Sequence, residues 1–442
     1  MDRLIELLKI KELGAQEKIK GWVRNHRKSK DVGFIDIYDG SQFNATQLIY
    51  DNSVNNANSV KIGAAISADV ELIPSTVEGR EPEWKILSLE VVGDCPDDFP
   101  IQPKKHTLEF LREVGYLRNR TRLFQAVFRV RSAAYYVIHE YFMKNGFLNV
   151  AAPILTGIDG EGAGNLFDVT TKTKDNFFGK PTSLCVTGQL EGETFALAFG
   201  KIYLFGPSFR AENSNTKTHL NEYWHIEPEI AFCHLPQLMD FEEDWLKTIA
   251  HKTLLACPDE IAFLSKYNNV DLEKRINNVV NSKVTRIKHE DAIELMLKSG
   301  KNFEINPDKN EDLAKEHEKF LTEEYFKAPV FVTNYPKEVK AFYMLQNADG
   351  RTVDCVDFLL PDAGEVMGGS EREYRYDVLE SKMKTAGVST EDMYWYLNLR
   401  KFGGCPHSGC GMGFERFLMW LTGMQNIRDV IPYYRVPNSC EF

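Results

Sequence analysis

The sequence predicts an α+β protein in two parts: an N-terminal five-stranded β-barrel, then a larger domain built on an antiparallel sheet flanked by helices. Residues 18–93 hold five short apolar segments separated by turn residues, the pattern of a small barrel. The rest of the chain alternates hairpin-like strands with helical segments, which favours an antiparallel sheet. Because 442 residues exceed what one hydrophobic core usually supports, we expect more than one domain.

The five predicted barrel strands are KIKGWVRNHR, GFIDIYDG, FNATQLIYD, AAISADVELI and WKILSLEVV. In the second strand, Ile35 and Ile37 alternate with Phe34 and Tyr38, as expected for a strand with one buried face. Basic residues surround Trp22 and Phe34. Cations beside aromatic rings suit single-stranded nucleic acid, because bases stack and phosphates need neutralising. A core tryptophan among solvated lysines explains the pattern equally well.

The larger domain is predicted to follow the link GDCPDDFPIQPKK, which is poor in apolar residues and typical of a domain boundary. The helical pattern RLFQAVFRVRSAAYYVIHEYFMKNGF then ends at Gly146, where a C-cap is expected. The predicted strands after it include FLNVAAPIL, TSLCVTG, IYLFGPSFRAE, EYWHIEPEIAF and VDCVDFLL. A polar helix is predicted around EDLAKEHEKFLTEEYF.

Composition limits the class of protein. The net charge of −11 argues against indiscriminate nucleic-acid binding, although residues 101–150 carry nine Lys or Arg against three acidic residues. No segment reaches the ~18 apolar residues of a membrane helix, and the first residues lack the apolar centre of a signal peptide. The eight scattered cysteines suit reduced thiols. We therefore expect a cytoplasmic protein without membrane contact.

The segment FRAENSNTKTHLNEYWHIEPE, residues 209–229, combines groups that suit a nucleotide. In a hairpin, Arg210 and Glu212 project from the same face, which places a bidentate phosphate donor beside a hydrogen-bond acceptor. Tyr223 on the return strand can stack on a planar ring. Taken alone, the spacing of Arg210 and Glu212 is more often that of a surface ion pair.

Two later segments carry groups that a phosphate site needs. In GCGMGFERFLMWLTG, the glycines allow a backbone to approach a ligand closely, and Arg416 stands at the start of a helix. In DCVDFLLPDAGEVMGGSERE, Asp357 and Glu365 flank a turn and can hold Mg²⁺ together with phosphate oxygens. Arg372 lies just beyond them.

The order of these segments resembles the class II aminoacyl-tRNA synthetases of the aspartate/asparagine subgroup, over nearly the whole chain. The helix leading to GFLNVAAPIL matches the family's first motif, FRAE…EYWHIEPE the second and GMGFERFLMWLTG the third. The tail NIRDVIPYYRVP is also typical, and VTGQLEGET and FRAENSNT resemble the asparaginyl branch. The resemblance implies an OB-fold anticodon-binding domain at 1–95, a hinge at 96–120 and a class II catalytic domain at 121–442.

The same resemblance implies roles for individual residues, with Arg210 and Arg416 as the catalytic ones. Arg210 would contact the α-phosphate of ATP, and His219 with Arg416 would hold the γ-phosphate. Glu212 would accept from the adenine amino group, and Tyr223 would stack on the adenine ring. The implied ATP-binding residues are Arg210, Glu212, His219, Tyr223, Glu365 and Arg416, and the implied ligands of Mg²⁺ are Asp357 and Glu365.

Four residues are implied in amino-acid binding: Glu161 and Gln189 at the α-amino group, Glu227 and Arg372 at the side chain. A side-chain amide has an acceptor and two donors, so its site needs a cation for the carbonyl and a carboxylate for the NH₂. The aspartyl branch has a lysine where this chain has Gly192, which argues for asparagine. In the barrel, the implied anticodon contacts are Arg27, Phe34 and Gln47.

The resemblance therefore implies a homodimeric enzyme that activates L-asparagine with ATP to asparaginyl-adenylate and then charges tRNA(Asn). Two alternatives stay open. An aspartyl-tRNA synthetase shares almost every motif, although Gly192 and Glu227 argue against it. An amide ligase that makes asparagine from aspartate is the other, and the intact barrel argues against that one.

Overall fold

The computed structural model describes residues 3–75, 77, 79–160, 165–174 and 177–442. The chain divides into two compact units, Met1–Ala126 and Val127–Phe442. Within the described ranges, no helix is both long enough and apolar enough to cross a membrane.

The first unit is built around a closed five-stranded barrel, which confirms the predicted fold of the N-terminal part. Its strands are β1 (Gln16–Lys28), β2 (Val32–Tyr38), β3 (Thr46–Asp51), β4 (Ala65–Ile73) and β5 (Glu83–Gly93). They pair in the order β1-β2-β3-β5-β4, antiparallel except for β3 with β5. Ile35 and Ile37 are fully buried, as their alternation predicts, whereas Trp22 keeps 40% of its surface exposed and is not a core residue.

Short helices complete the first unit. Helix α1 (Leu4–Leu7) precedes the barrel strands and α2 (Leu108–Glu113) follows them, with 3₁₀ turns at Ala57–Ser59 and Arg118–Arg120. The hydroxyl of Thr107 accepts from the N–H of Phe110 and so caps α2.

An eight-stranded sheet forms the centre of the second unit. The strands of this unit are β6 (Leu148–Val150), β7 (Leu155–Thr156), β8 (Ser183–Leu184), β9 (Lys201–Phe209), β10 (Glu222–Ala231), β11 (Thr285–Lys288), β12 (Val330–Thr333), β13 (Cys355–Leu360), β14 (Gly364–Glu371) and β15 (His407–Gly413). The sheet order is β11-β12-β13-β14-β15-β10-β9-β6, while β7 pairs with β8 separately. The inner strands run antiparallel, as predicted, and only the edge pairs β11–β12 and β6–β9 are parallel.

The helices of this unit complete the predicted α+β fold. They are α3 (Arg122–Lys144), which begins in the first unit, α4 (Gln189–Phe199), α5 (Leu235–Ala256), α6 (Pro258–Asn268), α7 (Leu272–Asn281), α8 (His289–Lys298), α9 (Lys315–Lys319), α10 (Tyr376–Thr385), α11 (Tyr394–Lys401) and α12 (Phe414–Thr422). A π-helical turn continues α9. Gly146 follows α3 with φ +77°, the left-handed conformation that glycine favours after a helix. Helix α5 packs against β13, β14 and β15, and α4 and α12 pack against β10.

Strand β10 organises one face of the sheet, because it pairs with β9 on one side and with β15 on the other. Side chains two residues apart on a strand face the same side of a sheet. Tyr223, His225, Glu227 and Glu229 therefore form one row along β10.

Candidate active site

A cavity of about 210 Å³ lies at the Tyr223 end of the row on β10. All the residues assigned to ATP by sequence analysis line it: Arg210, Glu212, His219, Tyr223, Glu365 and Arg416. They come from the end of β9, the loop after it, β10, β14 and α12. Of these six residues, Arg210, His219 and Arg416 suit phosphates, whereas Glu212 and Tyr223 suit a purine.

A second cavity of about 530 Å³ is larger but chemically less suited to a nucleotide. Its lining is mostly apolar and includes Phe167, Phe209 and the C-terminal residues 435–440. Of the residues assigned to ATP, only Glu212 contributes to its wall. Because polyphosphates need several cationic donors, the smaller cavity is the better nucleotide site.

The hairpin of β9 and β10 positions the residues at one end of the smaller cavity. Arg210 directly follows β9, and its backbone N–H donates to the carbonyl oxygen of Asn221 at 3.0 Å, which closes the hairpin before β10 begins. The guanidinium carbon of Arg210 lies 5.7 Å from the centre of the Tyr223 ring. An aromatic face and a phosphate donor thus lie side by side in the wall of the cavity.

His219 lies in the loop between these strands and lines the cavity together with Arg416. Burial and the nearby Arg416 guanidinium lower the pKa of His219. Its ring is therefore neutral at pH 7 and can donate one hydrogen bond. The hydroxyl of Thr216 contacts its Nδ1 atom.

Glu415 anchors the start of α12 and so fixes the position of Arg416. Its Oε2 accepts from the backbone N–H of Trp224 at 2.9 Å, and its Oε1 lies 2.7 Å from Nη1 of Arg131. Glu415 is buried in both contacts, which tie α12 to β10 and to α3. The next residue, Arg416, is thereby held at the cavity wall.

Asp357 on β13 and Glu365 on β14 face one small gap above Gly368. A Cβ atom at Gly368 would lie 3.1 Å from Oε1 of Glu365 and 3.6 Å from Oδ1 of Asp357. Burial and the charge of Asp357 raise the pKa of Glu365, so the two carboxylates repel each other. A divalent cation relieves such repulsion, and Mg²⁺ commonly takes only one or two protein carboxylates beside phosphate oxygens. The residues present therefore fit Mg²⁺.

Lys340 contacts Oδ2 of Asp357, the carboxylate oxygen that does not face Glu365. Its Nζ donates to Asp357 Oδ2 at 2.8 Å and lies 3.5 Å from Oδ2 of Asp312. The same nitrogen stands 3.9 Å from the centre of the Tyr335 ring. Lys340 thus fixes Asp357 while leaving Oδ1 directed towards Glu365.

Gln189 is the first residue of α4 and is buried beside the end of β10. Its side-chain NH₂ donates to Oε1 of Glu193 at 3.1 Å. Glu193 is itself held by Arg400 Nη2 at 2.7 Å and by His407 Nε2 at 2.9 Å. The carbonyl oxygen of Gln189 is thus left to accept from a further donor, which suits an α-ammonium group. Glu161 lies outside the described residues.

Glu227 is buried and surrounded by donors. The hydroxyl of Thr187 donates to Oε1, the backbone N–H of Gly188 donates to Oε2 at 3.1 Å, and His225 Nδ1 lies 3.2 Å from Oε1. Burial alone raises the pKa of Glu227, but His225, Thr187 and Gly188 together hold that pKa below its usual value. Glu227 is therefore an ionised acceptor at neutral pH.

Arg372 is fixed by a different carboxylate. Its Nε donates to Oε1 of Glu229 at 3.1 Å, and its Nη1 donates to the hydroxyl of Ser370 at 2.8 Å. Burial lowers the pKa of Arg372, but Glu229 outweighs it and raises that pKa overall. A Cβ atom at Gly192 would lie 2.8 Å from Leu204 Cδ1 and 3.9 Å from Glu229 Cγ, so a lysine there would meet Leu204 and the neighbourhood of Glu229.

Comparison with known proteins identifies the family. The family described as tRNA synthetases class II (D, K and N) matches residues 107–437. An asparagine–tRNA ligase from Clostridium botulinum is 46% identical over 98% of this chain and 97% of its own length. Another from Acholeplasma laidlawii is 47% identical over 97% of this chain and 96% of its own length. The chain belongs to the class II tRNA synthetases, within their asparagine–tRNA ligase branch.

Solved structures of class II synthetases agree with the fold of this one. The asparaginyl-tRNA synthetase from Pyrococcus horikoshii, in complex with asparaginyl-adenylate, has a TM-score of 0.88 at 30% identity and covers 97% of this chain and 96% of that one. A putative aspartyl-tRNA synthetase from Leishmania major shares the fold, with a TM-score of 0.81 at 19% identity over 97% of this chain and 91% of that one. The resemblance drawn from the motifs is confirmed, together with the fold class and the enzyme class.

The barrel of the synthetase brings the residues assigned to the anticodon together on one face. Phe34 of β2 pairs with Arg27 of β1, whose guanidinium carbon lies 5.3 Å from the Phe34 ring centre. Gln47 of β3 pairs with Asp36, and its Nε2 donates to Asp36 Oδ1 at 3.2 Å. Arg27 Nη2 lies 3.8 Å from the same oxygen. The Asp36 carboxylate therefore contacts both the cation and the amide, and the cation lies over the half-buried ring.

Sequence analysis of the synthetase missed the residues that hold its binding groups. Thr187 and His225 contact Glu227, and Glu229 contacts Arg372. The alternation of Tyr223, His225, Glu227 and Glu229 along one strand was the available signal, because it places all four on one face. Lys340 gave no such signal, because it lies on an irregular segment 17 residues from Asp357.

Proposed function

We propose that this synthetase joins L-asparagine to tRNA(Asn) at the expense of ATP. The observation that carries the proposal is the pair of buried groups beside the nucleotide cavity: Glu227 as an ionised acceptor and Arg372 as a fixed donor. A carboxamide matches this pair, because its NH₂ donates to a carboxylate and its carbonyl accepts from a guanidinium. The names of the relatives and the asparaginyl-adenylate in the Pyrococcus horikoshii protein support the same substrate.

In the first step, a carboxylate oxygen of asparagine attacks the α-phosphorus of ATP. A new P–O bond forms as the bond to pyrophosphate breaks, giving asparaginyl-adenylate. Gln189 and Glu161 orient the α-amino group, so that the carboxylate meets the phosphorus in line. Arg210 stabilises the charge that develops on the α-phosphate.

The leaving pyrophosphate is held by His219 and Arg416 at the cavity wall. Glu212 and Tyr223 position the adenine ring at the other end of the nucleotide. Mg²⁺, when held by Asp357 and Glu365, supplies charge neutralisation for the phosphate oxygens. The ring and phosphate contacts together fix the direction in which pyrophosphate departs.

In the second step, a hydroxyl of the terminal ribose of tRNA(Asn) attacks the acyl carbonyl of the adenylate. An ester forms, the bond between the acyl carbon and the phosphate oxygen breaks, and AMP leaves. The chemistry requires no covalent enzyme nucleophile. Arg27, Phe34 and Gln47 would recognise the anticodon in the same tRNA, because a ring, a cation and an amide suit an unpaired base.

We further infer that the enzyme is a cytoplasmic homodimer. The first motif spans α3 and β6, and β6 is an edge strand of the sheet among the described residues. On α3, Tyr136 and Met143 keep 69% and 70% of their surface exposed. An open strand edge beside exposed apolar side chains suits a two-fold interface. Light scattering at micromolar concentration should give the mass of two chains.

The test of substrate choice is ATP–pyrophosphate exchange with asparagine and aspartate in parallel. An aspartate carboxylate about 4 Å from Glu227 is disfavoured by about 4 kcal/mol at an effective dielectric near 20, roughly a thousandfold in kcat/KM. Arg210→Ala, which should abolish exchange, controls for contaminating enzymes. Equal use of both amino acids would favour an aspartyl-tRNA synthetase of relaxed choice. Ammonia-dependent formation of asparagine from aspartate would indicate the amide ligase instead.

A further inference from the structure

His225 lies between the amide-reading carboxylate and the nucleotide cavity. Its ring keeps 14% of its surface exposed, and its Nδ1 lies 3.2 Å from Oε1 of Glu227. On the other side, a Cβ atom at Gly411 would lie 2.6 Å from Nε2, so only glycine leaves room for the ring there. Both His225 and Gly411 line the cavity that contains Arg210 and Arg416.

The groups that surround Glu227 leave few of its hydrogen-bond acceptor positions open to a substrate. An ionised carboxylate has about four acceptor positions. Thr187 and His225 approach Oε1, and the N–H of Gly188 approaches Oε2. One or two positions on Glu227 are therefore left for a substrate donor. The NH₂ of asparagine supplies such a donor, and the carboxylate of aspartate does not.

We propose that His225 is a positioning residue that holds Glu227 ready for the amide of asparagine and thereby sets the preference for asparagine over aspartate. This inference rests on the proposed function of the enzyme. Thr187 and Gly188 precede α4 and approach Glu227 from one side, whereas His225 approaches along β10 itself. Without the imidazole, Glu227 keeps Thr187 and Gly188 but loses its contact on the β10 side, so it turns or takes up a proton more readily. A protonated Glu227 can donate to an aspartate carboxylate.

The variants His225→Asn, His225→Met and His225→Leu separate the polar role of the ring from its bulk. Asparagine keeps a polar atom at the δ position, where Nδ1 approaches Glu227. Methionine and leucine fill similar space without a polar group, and methionine adapts to irregular gaps. The control is His234→Asn, since His234 also contacts a carboxylate, Glu371 at 2.9 Å, but does not line the cavity.

The measurement is kcat/KM for adenylation with asparagine and with aspartate, together with separate KM values for asparagine and ATP. We expect His225→Met and His225→Leu to lower the asparagine-to-aspartate ratio about tenfold or more, the effect of losing one contact to a charged group. The loss should appear in KM for asparagine, with KM for ATP unchanged. His225→Asn should restore most of the ratio, and the control should match the wild type.

Thermal melting identifies which variants are folded, and the folded apolar variant decides the outcome. A ratio within twofold of the wild type in that variant overturns the proposal, and so does an equal loss in His225→Asn. If both apolar variants unfold, His225→Asn decides alone: a small rise in KM for asparagine with KM for ATP unchanged supports the role, whereas no change in either, or a change only in KM for ATP, overturns it. A wild-type enzyme that shows no preference for asparagine would instead refute the proposed function itself.

Discussion

Arg372 is held by Glu229, which lies two residues beyond Glu227 on the same face of β10, and not by Glu227 itself. The Arg372 Nε atom donates to Glu229 Oε1 at 3.1 Å, and both side chains are almost completely buried. The two carboxylates of the row therefore have separate tasks. In the proposed function, Glu227 is the acceptor for the substrate amide, and Glu229 fixes the guanidinium proposed to donate to the amide carbonyl.

We expect Glu229→Gln to raise KM for asparagine while leaving KM for ATP unchanged, because the amide keeps one acceptor for Arg372 but not the charge. Glu229→Ala should lower the free energy of unfolding by about 3–5 kcal/mol, since it leaves a buried guanidinium without its partner. Pyrophosphate exchange measures the first effect and urea denaturation the second. An unchanged KM for asparagine in Glu229→Gln would contradict this assignment.

Phe34 lies on the barrel face that is proposed to bind the anticodon. If an anticodon base stacks on this ring, Phe34→Ala should weaken tRNA charging by about 1–3 kcal/mol and leave pyrophosphate exchange almost unchanged. Leu87→Ala, at another partly exposed apolar residue of the barrel, is the matched control. An equal loss in charging and in exchange would show that Phe34 supports the fold and does not contact tRNA.

Lys340 places a positive charge beside the proposed Mg²⁺ ligands, because its Nζ lies 2.8 Å from Asp357 Oδ2. Lys340→Gln removes a positive charge beside the carboxylates, so we expect Mn²⁺ alone to bind about tenfold more tightly or better. Electron paramagnetic resonance of free Mn²⁺ measures this without ATP or turnover. Lys337→Gln, on an exposed side chain, is the control. Weaker Mn²⁺ binding in Lys340→Gln would mean that the lysine shapes the site more than it repels the ion.

Glu242 on α5 is a fully buried carboxyl that packs against Gly369 and the thiol of Cys410. Burial raises the pKa of Glu242 to about 8. A carboxyl whose pKa is raised on folding favours the folded state below its unfolded pKa, and that contribution is lost as pH rises through the folded pKa. Wild-type stability should therefore fall between about pH 5 and pH 8.

Glu242→Gln removes this titration, so its melting temperature relative to the wild type should rise across the same pH interval. Glu273→Gln, on the exposed face of α7, should show no such trend. A constant difference between Glu242→Gln and the wild type from pH 5 to pH 8 would show that Glu242 stays ionised in the folded protein.

The parts of the fold that the sequence predicts well are those with a regular pattern. The alternation around Ile35 and Ile37 predicts a barrel strand, and both residues are fully buried. The hairpin spacing predicts that Arg210, Glu212 and Tyr223 share one site, and all three line one cavity. In each case the signal is local, because strand periodicity alone decides which side chains share a face.

The parts that the sequence does not predict depend on contacts between distant segments. Arg372 and Glu229 are 143 positions apart, and Glu193 and Arg400 are 207 positions apart. No periodicity connects such pairs, since strand order in the sheet brings them together. The lack of space at Gly192 could not be predicted either, because it depends on the side chain of Leu204 on another element, which leaves little room for a lysine.

The spacing of side chains along β10 limits which sequence changes this enzyme can tolerate in its proposed site. Tyr223, His225, Glu227 and Glu229 follow one another at steps of about 7 Å along a single strand. The strand itself therefore sets the distance between the residues proposed to bind adenine and those proposed to bind the amino-acid side chain. Single substitutions alter one contact and leave the spacing intact. Insertion of one residue before Tyr223 within β10 would turn the whole row to the opposite face of the sheet and remove every contact at once. We therefore expect natural and engineered changes of substrate in this fold to keep the length of this strand.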